Sequence, residues 1–188
     1  MSDSALLSNG VRERLEQAVT LQPLTRLTET VKHILQDGLR SGALEIPARM
    51  RQPRTDTYAR RLLYRDPQGR YSMVVMTWGP GQKTALHDHA GIWCVECVID
   101  GQMEVAQYEL LSEENGHYRF AEQNRVHAGR GAAGCLIPPF EYHTLGNVDE
   151  AASITLHVYG GDMTHCHVFE PQFDGAWRKV RKELAFHE

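Results

Sequence analysis

The sequence predicts a mainly β fold, a small closed barrel or a sandwich, with a helical region ahead of it. Helical periodicity is confined to the first part of the chain. Short apolar runs separated by turn residues fill the remainder, and no internal repeat or low-complexity segment interrupts them. At 188 residues the chain fits a single structural domain, read here as a helical region over 1–45 and a β-barrel over 46–188.

The helices come first. Leu24, Leu27, Val31 and Leu35 recur at helical spacing, and Pro23 suits the first turn. The Gly38, Ser41 and Gly42 region reads as a break, and a shorter helix is expected around Val11 to Val19. Both are read as a brace packed outside the barrel. From about Tyr58 the apolar runs are YARRLLY, YSMVVMTW, WCVECVI, EVAQYEL, HYRF, GCLIPP and SITLHVY. Between them stand DPQG, GPG, IDG, EENG, GRGAAG and GNVDE, rich in residues that favour turns. The closing EPQFDGAWRKVRKELAFHE suits a strand or a helix equally.

Composition narrows the function. A net charge of −4 gives no basic field for nucleic acid or an anionic membrane, so neither is an expected partner. The arginines between Arg49 and Arg61 are interrupted by Asp56 and read as a solvated surface with one functional member. No stretch approaches the roughly 20 apolar residues that span a bilayer. The opening MSDSALLSNGVRERLEQ lacks a basic-then-apolar signal pattern, so a cytoplasmic location is expected. There the four cysteines should be reduced thiols. Cys94 and Cys97 form C-x-x-C, but an offset of three on a strand puts them on opposite faces, which argues against zinc-ribbon or thioredoxin chemistry.

The main chemical signal is G-P-G-Q-K-T-A-L-H-D-H. His87 and His89 are one residue apart, so on a strand both rings project from one face, with backbones roughly 7 Å apart. Both can then reach one ion. His143, in P-P-F-E-Y-H-T-L-G-N, is the candidate third ligand. Imidazoles suit iron, zinc, copper or nickel, so ligand type alone leaves the metal open.

The two segments, with Gly101 following at 12 residues after His89, resemble the paired motifs of the cupin superfamily. That resemblance implies a double-stranded β-helix barrel with a metal inside one mouth. Where cupins usually carry a glutamate ligand, this chain has Trp93 and Cys94; Glu96, on the same face as Cys94, is not expected to coordinate. A three-histidine iron keeps its full positive charge, which an anionic thiolate can balance.

Cysteine at that position is similar to the cysteine dioxygenase family, over roughly Tyr58 to Phe169. The resemblance implies Fe(II) on His87, His89 and His143, and a thiol substrate, cysteine or 3-mercaptopropionate, that reacts with O2 to give a sulfinic acid. It implies a thioether between Cys94 and Tyr159, with His157 orienting the tyrosine hydroxyl and Thr155 on the same face. Tyr58 and Arg60, in Tyr58-Ala59-Arg60, would bind the substrate carboxylate, while Arg61 faces the other way. The Gly160-Gly161-Asp162 loop resembles bacterial 3-mercaptopropionate dioxygenases instead, although those tend to have glutamine at the Arg60 position and glycine at the Cys94 position. The rival reading is a non-catalytic cupin that senses a small carboxylate. Trp78 and Trp93 read as wall or core. His165 and His167 form a second H-x-H with no third partner and are expected outside the coordination sphere.

Overall fold

The computed structural model describes residues 9–188. Two helices open the chain, α1 (Asn9–Ala18) and α2 (Leu24–Ser41). Each presents an apolar stripe, Val11 and Leu15 on α1 and Leu27, Val31, Ile34 and Leu35 on α2. Gly38 does not break α2. It lies inside the helix, where a Cβ would come within 3.1 Å of the Leu44 side chain, so its smallness permits close packing. The stop is Gly42, in the left-handed conformation at φ 74°.

After a 3-10 turn at Ala48–Arg51, all regular structure is β. The strands are β1 (Ala59–Arg65), β2 (Ser72–Trp78), β3 (Leu86–His87), β4 (Cys94–Asp100), β5 (Gln102–Glu114), β6 (His117–Gly129), β7 (Ala133–Leu136), β8 (His143–Asn147), β9 (Ser153–Tyr159), β10 (His165–Pro171) and β11 (Trp177–Glu183). One antiparallel sheet has the order β1-β2-β9-β4-β7. The other six strands, β10-β11-β6-β5-β8-β3, close on themselves because β10 pairs with both β11 and β3. This is the mainly β, double-stranded β-helix arrangement of a cupin, with the helices outside.

The strand alternation explains the apolar runs. In β2, Met73 and Val75 pack outward beneath the helices. Val74, Met76 and Trp78 point inward, toward Cys94, Val98 and Tyr159. A strand buried on both faces must be apolar throughout, and β2 is fully buried. The same rule separates Cys94, in the inner cluster, from Cys97, in the cluster beneath the helices. All four cysteines are free thiols. Gly101 turns β4 into β5 with φ 77°, and a Cβ there would lie 2.2 Å from Ser153 Oγ, so no side chain fits. Among the described residues, no helix is long and apolar enough to cross a membrane.

Candidate metal centre

His87 and His143 are direct partners across β3 and β8, and His89 follows two residues after His87. Strand pairing thus joins segments far apart in sequence. Ring centroids lie 4.4 Å apart for His87–His143, 5.0 Å for His89–His143 and 5.4 Å for His87–His89. One ligating atom from each of the three falls within 4.8 Å of the others. His89 and His143 are buried, and His87 is half-buried.

Backbone carbonyls set the tautomers. His87 Nδ1 lies 3.0 Å from the Ala85 carbonyl, and His143 Nδ1 lies 2.8 Å from that of Glu141. A carbonyl only accepts, so each Nδ1 donates its proton and each Nε2 keeps a lone pair for an ion. Burial, then the neighbouring charge of His143, lowers His87 to about 3. The same two causes hold His89 well below its ordinary value. Both therefore stay neutral donors at ordinary pH. His143 differs: burial works to lower it, but the Glu96 carboxylate reverses the sign and raises it. Asp88, between the two ligand histidines, is fixed from outside. Its Oδ1 accepts from the His167 backbone at 2.8 Å, and its Oδ2 lies 2.9 Å from His167 Nδ1. His167 thus braces the ligand turn, whereas His165 touches Thr164 at 3.5 Å and the edge of the His167 ring.

Glu96 stands beside the triad. Its Oε1 lies 3.1 Å from His143 Nε2 and 3.3 Å from His157 Nδ1. The β4–β9 register places Glu96 opposite His157 and Cys94 opposite Tyr159, a long-range pairing that the local pattern does not reveal. Burial alone would raise Glu96, but the charges of His143 and His157 pull it well below its ordinary value. The carboxylate is therefore ionised, and it supplies negative charge that the sequence reading assigned to the substrate alone.

His157 is also turned differently from expectation. Its ring stacks with that of Tyr159 at 5.9 Å, but its two nitrogens face Thr155 Oγ1, at 2.8 Å, and Glu96. It does not hold the Tyr159 hydroxyl. Cys94 is the cross-strand neighbour of that tyrosine. Burial, followed by Cys94, raises Tyr159 well above the ordinary phenol value. Trp78 is more than a wall: its Nε1–H donates to Thr155 Oγ1 at 2.9 Å.

Arg60 is buried, at 3% exposure, in the wall of the cavity that His87, Glu96, His157 and Tyr159 also line. One nitrogen donates to the Met163 carbonyl at 2.8 Å; Nε and Nη1 have no partner. Its guanidinium sits 4.6 Å from the Phe186 ring, and Leu184 closes the same cavity, so the C-terminal segment covers this wall. Tyr58 lines the cavity too, stacked on Trp78 at 4.4 Å. Arg61 instead reaches the carbonyls of Met50 and Glu188.

The donor set fits a divalent ion. His89 Nδ1, His143 Nε2 and Glu96 Oε1 are all buried without a hydrogen-bond partner. Buried polar atoms are rarely left unpaired, and His87, His89 and His143 each bring one donor atom within 4.8 Å of the other two, as a shared ion requires.

Comparison with known proteins gives the family. The family model for cysteine dioxygenase type I matches residues 30–172. The chain is 22% identical to cysteine dioxygenase type 1 of Homo sapiens over 188 positions, covering 92% of this chain and 91% of that relative. Against the Rattus norvegicus enzyme identity is 21% over 120 residues, spanning 63% of this chain and 58% of the relative. Among solved structures, TT1209 from Thermus thermophilus superposes with a TM-score of 0.49 at 17% identity, over 63% of this chain and 96% of that one. With three quarters of its length inside the family model, the chain belongs to the cysteine dioxygenase type I family.

Proposed function

We propose that this chain is an iron(II)-dependent thiol dioxygenase for a small thiol bearing a carboxylate. Cysteine, oxidised to cysteine sulfinic acid, is the leading substrate, and 3-mercaptopropionate the close rival. The observation that carries the reading is Arg60: a buried guanidinium with two free donors, in one cavity with His87 of the histidine triad. Burying that charge without a partner is costly, and a planar carboxylate matches its fork. The cavity is narrow, about 20 Å³.

Iron held by His87, His89 and His143 would supply a centre at which a thiol and dioxygen react, adding both oxygen atoms to sulfur. The stoichiometry closes without a further reductant, since one thiol and one O2 give one sulfinic acid. The protein's own part is orientation. Arg60 fixes the carboxylate, Tyr58 bounds the pocket, and Tyr159 with Cys94 walls the side beyond His89, whose ring lies 5.7 Å from that of Tyr159. The thiol reading rests on Arg60 and the family, since Glu96 weakens the charge argument for an anionic ligand.

An oxygen electrode with iron-loaded protein and cysteine, 3-mercaptopropionate or cysteamine tests it. Uptake with a carboxylate-bearing thiol, matched by sulfinate formation, is expected. No uptake with any of the three would leave a carboxylate-binding cupin without catalysis.

A further inference from the structure

We infer that His187 is a positioning residue for Arg60: it latches residues 184–187 across the wall of the substrate cavity and so holds Phe186 on the guanidinium. The inference rests on the carboxylate role proposed for Arg60 above. β1 is the outer strand of its sheet, so its free edge carries backbone groups that need partners. At Arg60 a single residue supplies both. The Arg60 carbonyl accepts from the His187 backbone N–H at 2.7 Å, and the Arg60 backbone N–H donates to His187 Nδ1 at 3.0 Å. A ring nitrogen that accepts carries a lone pair, so His187 keeps its proton on Nε2.

The residue before it meets the same arginine at its other end. The Phe186 ring lies 4.6 Å from the Arg60 guanidinium, with that of Arg65 further off at 5.9 Å. Leu184 and Phe186 both pack against the inner cluster, whereas Ala185 between them is exposed, the alternation of an extended chain. The start of the segment is fastened too. The Leu184 backbone N–H donates to the Thr164 carbonyl at 2.7 Å, next to Met163, whose carbonyl receives Arg60 Nη2. Residues 184–187 therefore form a strap from Thr164 to β1, and the His187 ring is its fastening at β1.

The strap matters because arginine is long and flexible, and ordering it on substrate binding costs entropy. A guanidinium already fixed by Phe186 and the Met163 carbonyl meets a carboxylate without that cost, which strengthens binding. Binding shared by ground state and transition state shows in KM rather than in kcat. Leu184 lines the substrate cavity but His187 does not, so the influence of His187 on the carboxylate passes through Arg60.

The test compares wild type with His187→Ala, His187→Asn, Arg60→Ala and the Arg60→Ala/His187→Ala double variant, all as the full chain. Two readouts are taken: steady-state kinetics of iron-loaded protein with cysteine and 3-mercaptopropionate, and hydrogen exchange of the Arg60 backbone amide by NMR. The asparagine side-chain oxygen can stand where Nδ1 does, so His187→Asn keeps the acceptor. Expected for His187→Ala is a KM raised about 3–10-fold for both thiols, the worth of one hydrogen bond, with kcat within about twofold of wild type. Protection of the Arg60 amide should be lost in the same variant. His187→Asn should recover most of both, and the double variant should show no higher KM than Arg60→Ala alone. Unchanged protection in His187→Ala would overturn the inference, as would equal defects in the Ala and Asn variants or additive losses in the double variant. So would a KM raised by Arg60→Ala and unmoved by His187→Ala. An unchanged KM in Arg60→Ala, or no turnover of either thiol by the wild type, would instead overturn the proposed function beneath it, and amide exchange would still decide the latch.

Discussion

Cys94 and Tyr159 are direct cross-strand partners between β4 and β9, both buried in the inner core. Such pairs bring Cβ atoms within about 4.5–5.5 Å, inside reach of a sulfur–ring bond. Forming the thioether removes the thiol hydrogen and one ring hydrogen and sends two electrons to dioxygen, giving hydrogen peroxide. Protein turned over with iron and thiol should therefore contain a tryptic species lighter by two hydrogens than the sum of the two peptides. Cys94→Ser should abolish it. Complete recovery of unmodified peptides after turnover would exclude the crosslink.

Arg60→Ala should raise KM for cysteine and 3-mercaptopropionate by about 10–100-fold, the worth of charge-assisted hydrogen bonds to a carboxylate. Cysteamine, which has no carboxylate, should be unaffected by the change. Arg60→Lys should recover only part of the loss, because an ammonium cannot reproduce the fork. Phe186→Ala, which strips the ring from the guanidinium, should raise KM less. Equal effects on all three thiols would rule out the carboxylate role.

Gly160 follows Tyr159 for a steric reason. A Cβ there would lie 2.2 Å from Trp93 Nε1, while the Gly160 backbone N–H donates to the Trp93 carbonyl at 2.9 Å. Gly160→Ala must push the indole beside Cys94 aside, at a cost of about 1–3 kcal/mol. Urea unfolding of the variant measures it, and a midpoint equal to wild type would show that the ring yields freely.

Asp66 closes the β1–β2 turn. It accepts from Arg70 Nε at 2.8 Å and from a second guanidinium nitrogen at 2.9 Å, which holds its carboxyl below the ordinary value of 3.8. A carboxyl depressed on folding adds stability above its unfolded value and loses it as pH falls through the folded value. Wild type should thus lose more stability than Asp66→Asn between pH 7 and pH 2, with the difference confined below about pH 4. Parallel pH profiles for the two proteins would show that the pair adds nothing.

Much of the barrel was legible because buried strands must be apolar. YSMVVMTW and SITLHVY became β2 and β9, fully buried. β11, with the sequence WRKVRKE, has no buried residue and carries mostly basic ones, so its composition left helix and strand undecided. β3 is two residues long and has no pattern to read. At the site, H-D-H spacing and the later histidine were enough to find the triad, since each motif is local. Glu96 and the true partners of His157 were not, because they depend on which residue of β4 lies opposite which of β9. Spacing within one strand says nothing of that register.

The most direct test is anaerobic titration of metal-free protein with ferrous iron, in wild type and in single alanine variants of His87, His89 and His143. One ion per chain in the wild type, with tight binding lost in each variant, is the expected result. Retention of the ion by any of the three variants at wild-type affinity, or no stoichiometric binding in the wild type, would contradict a shared iron centre.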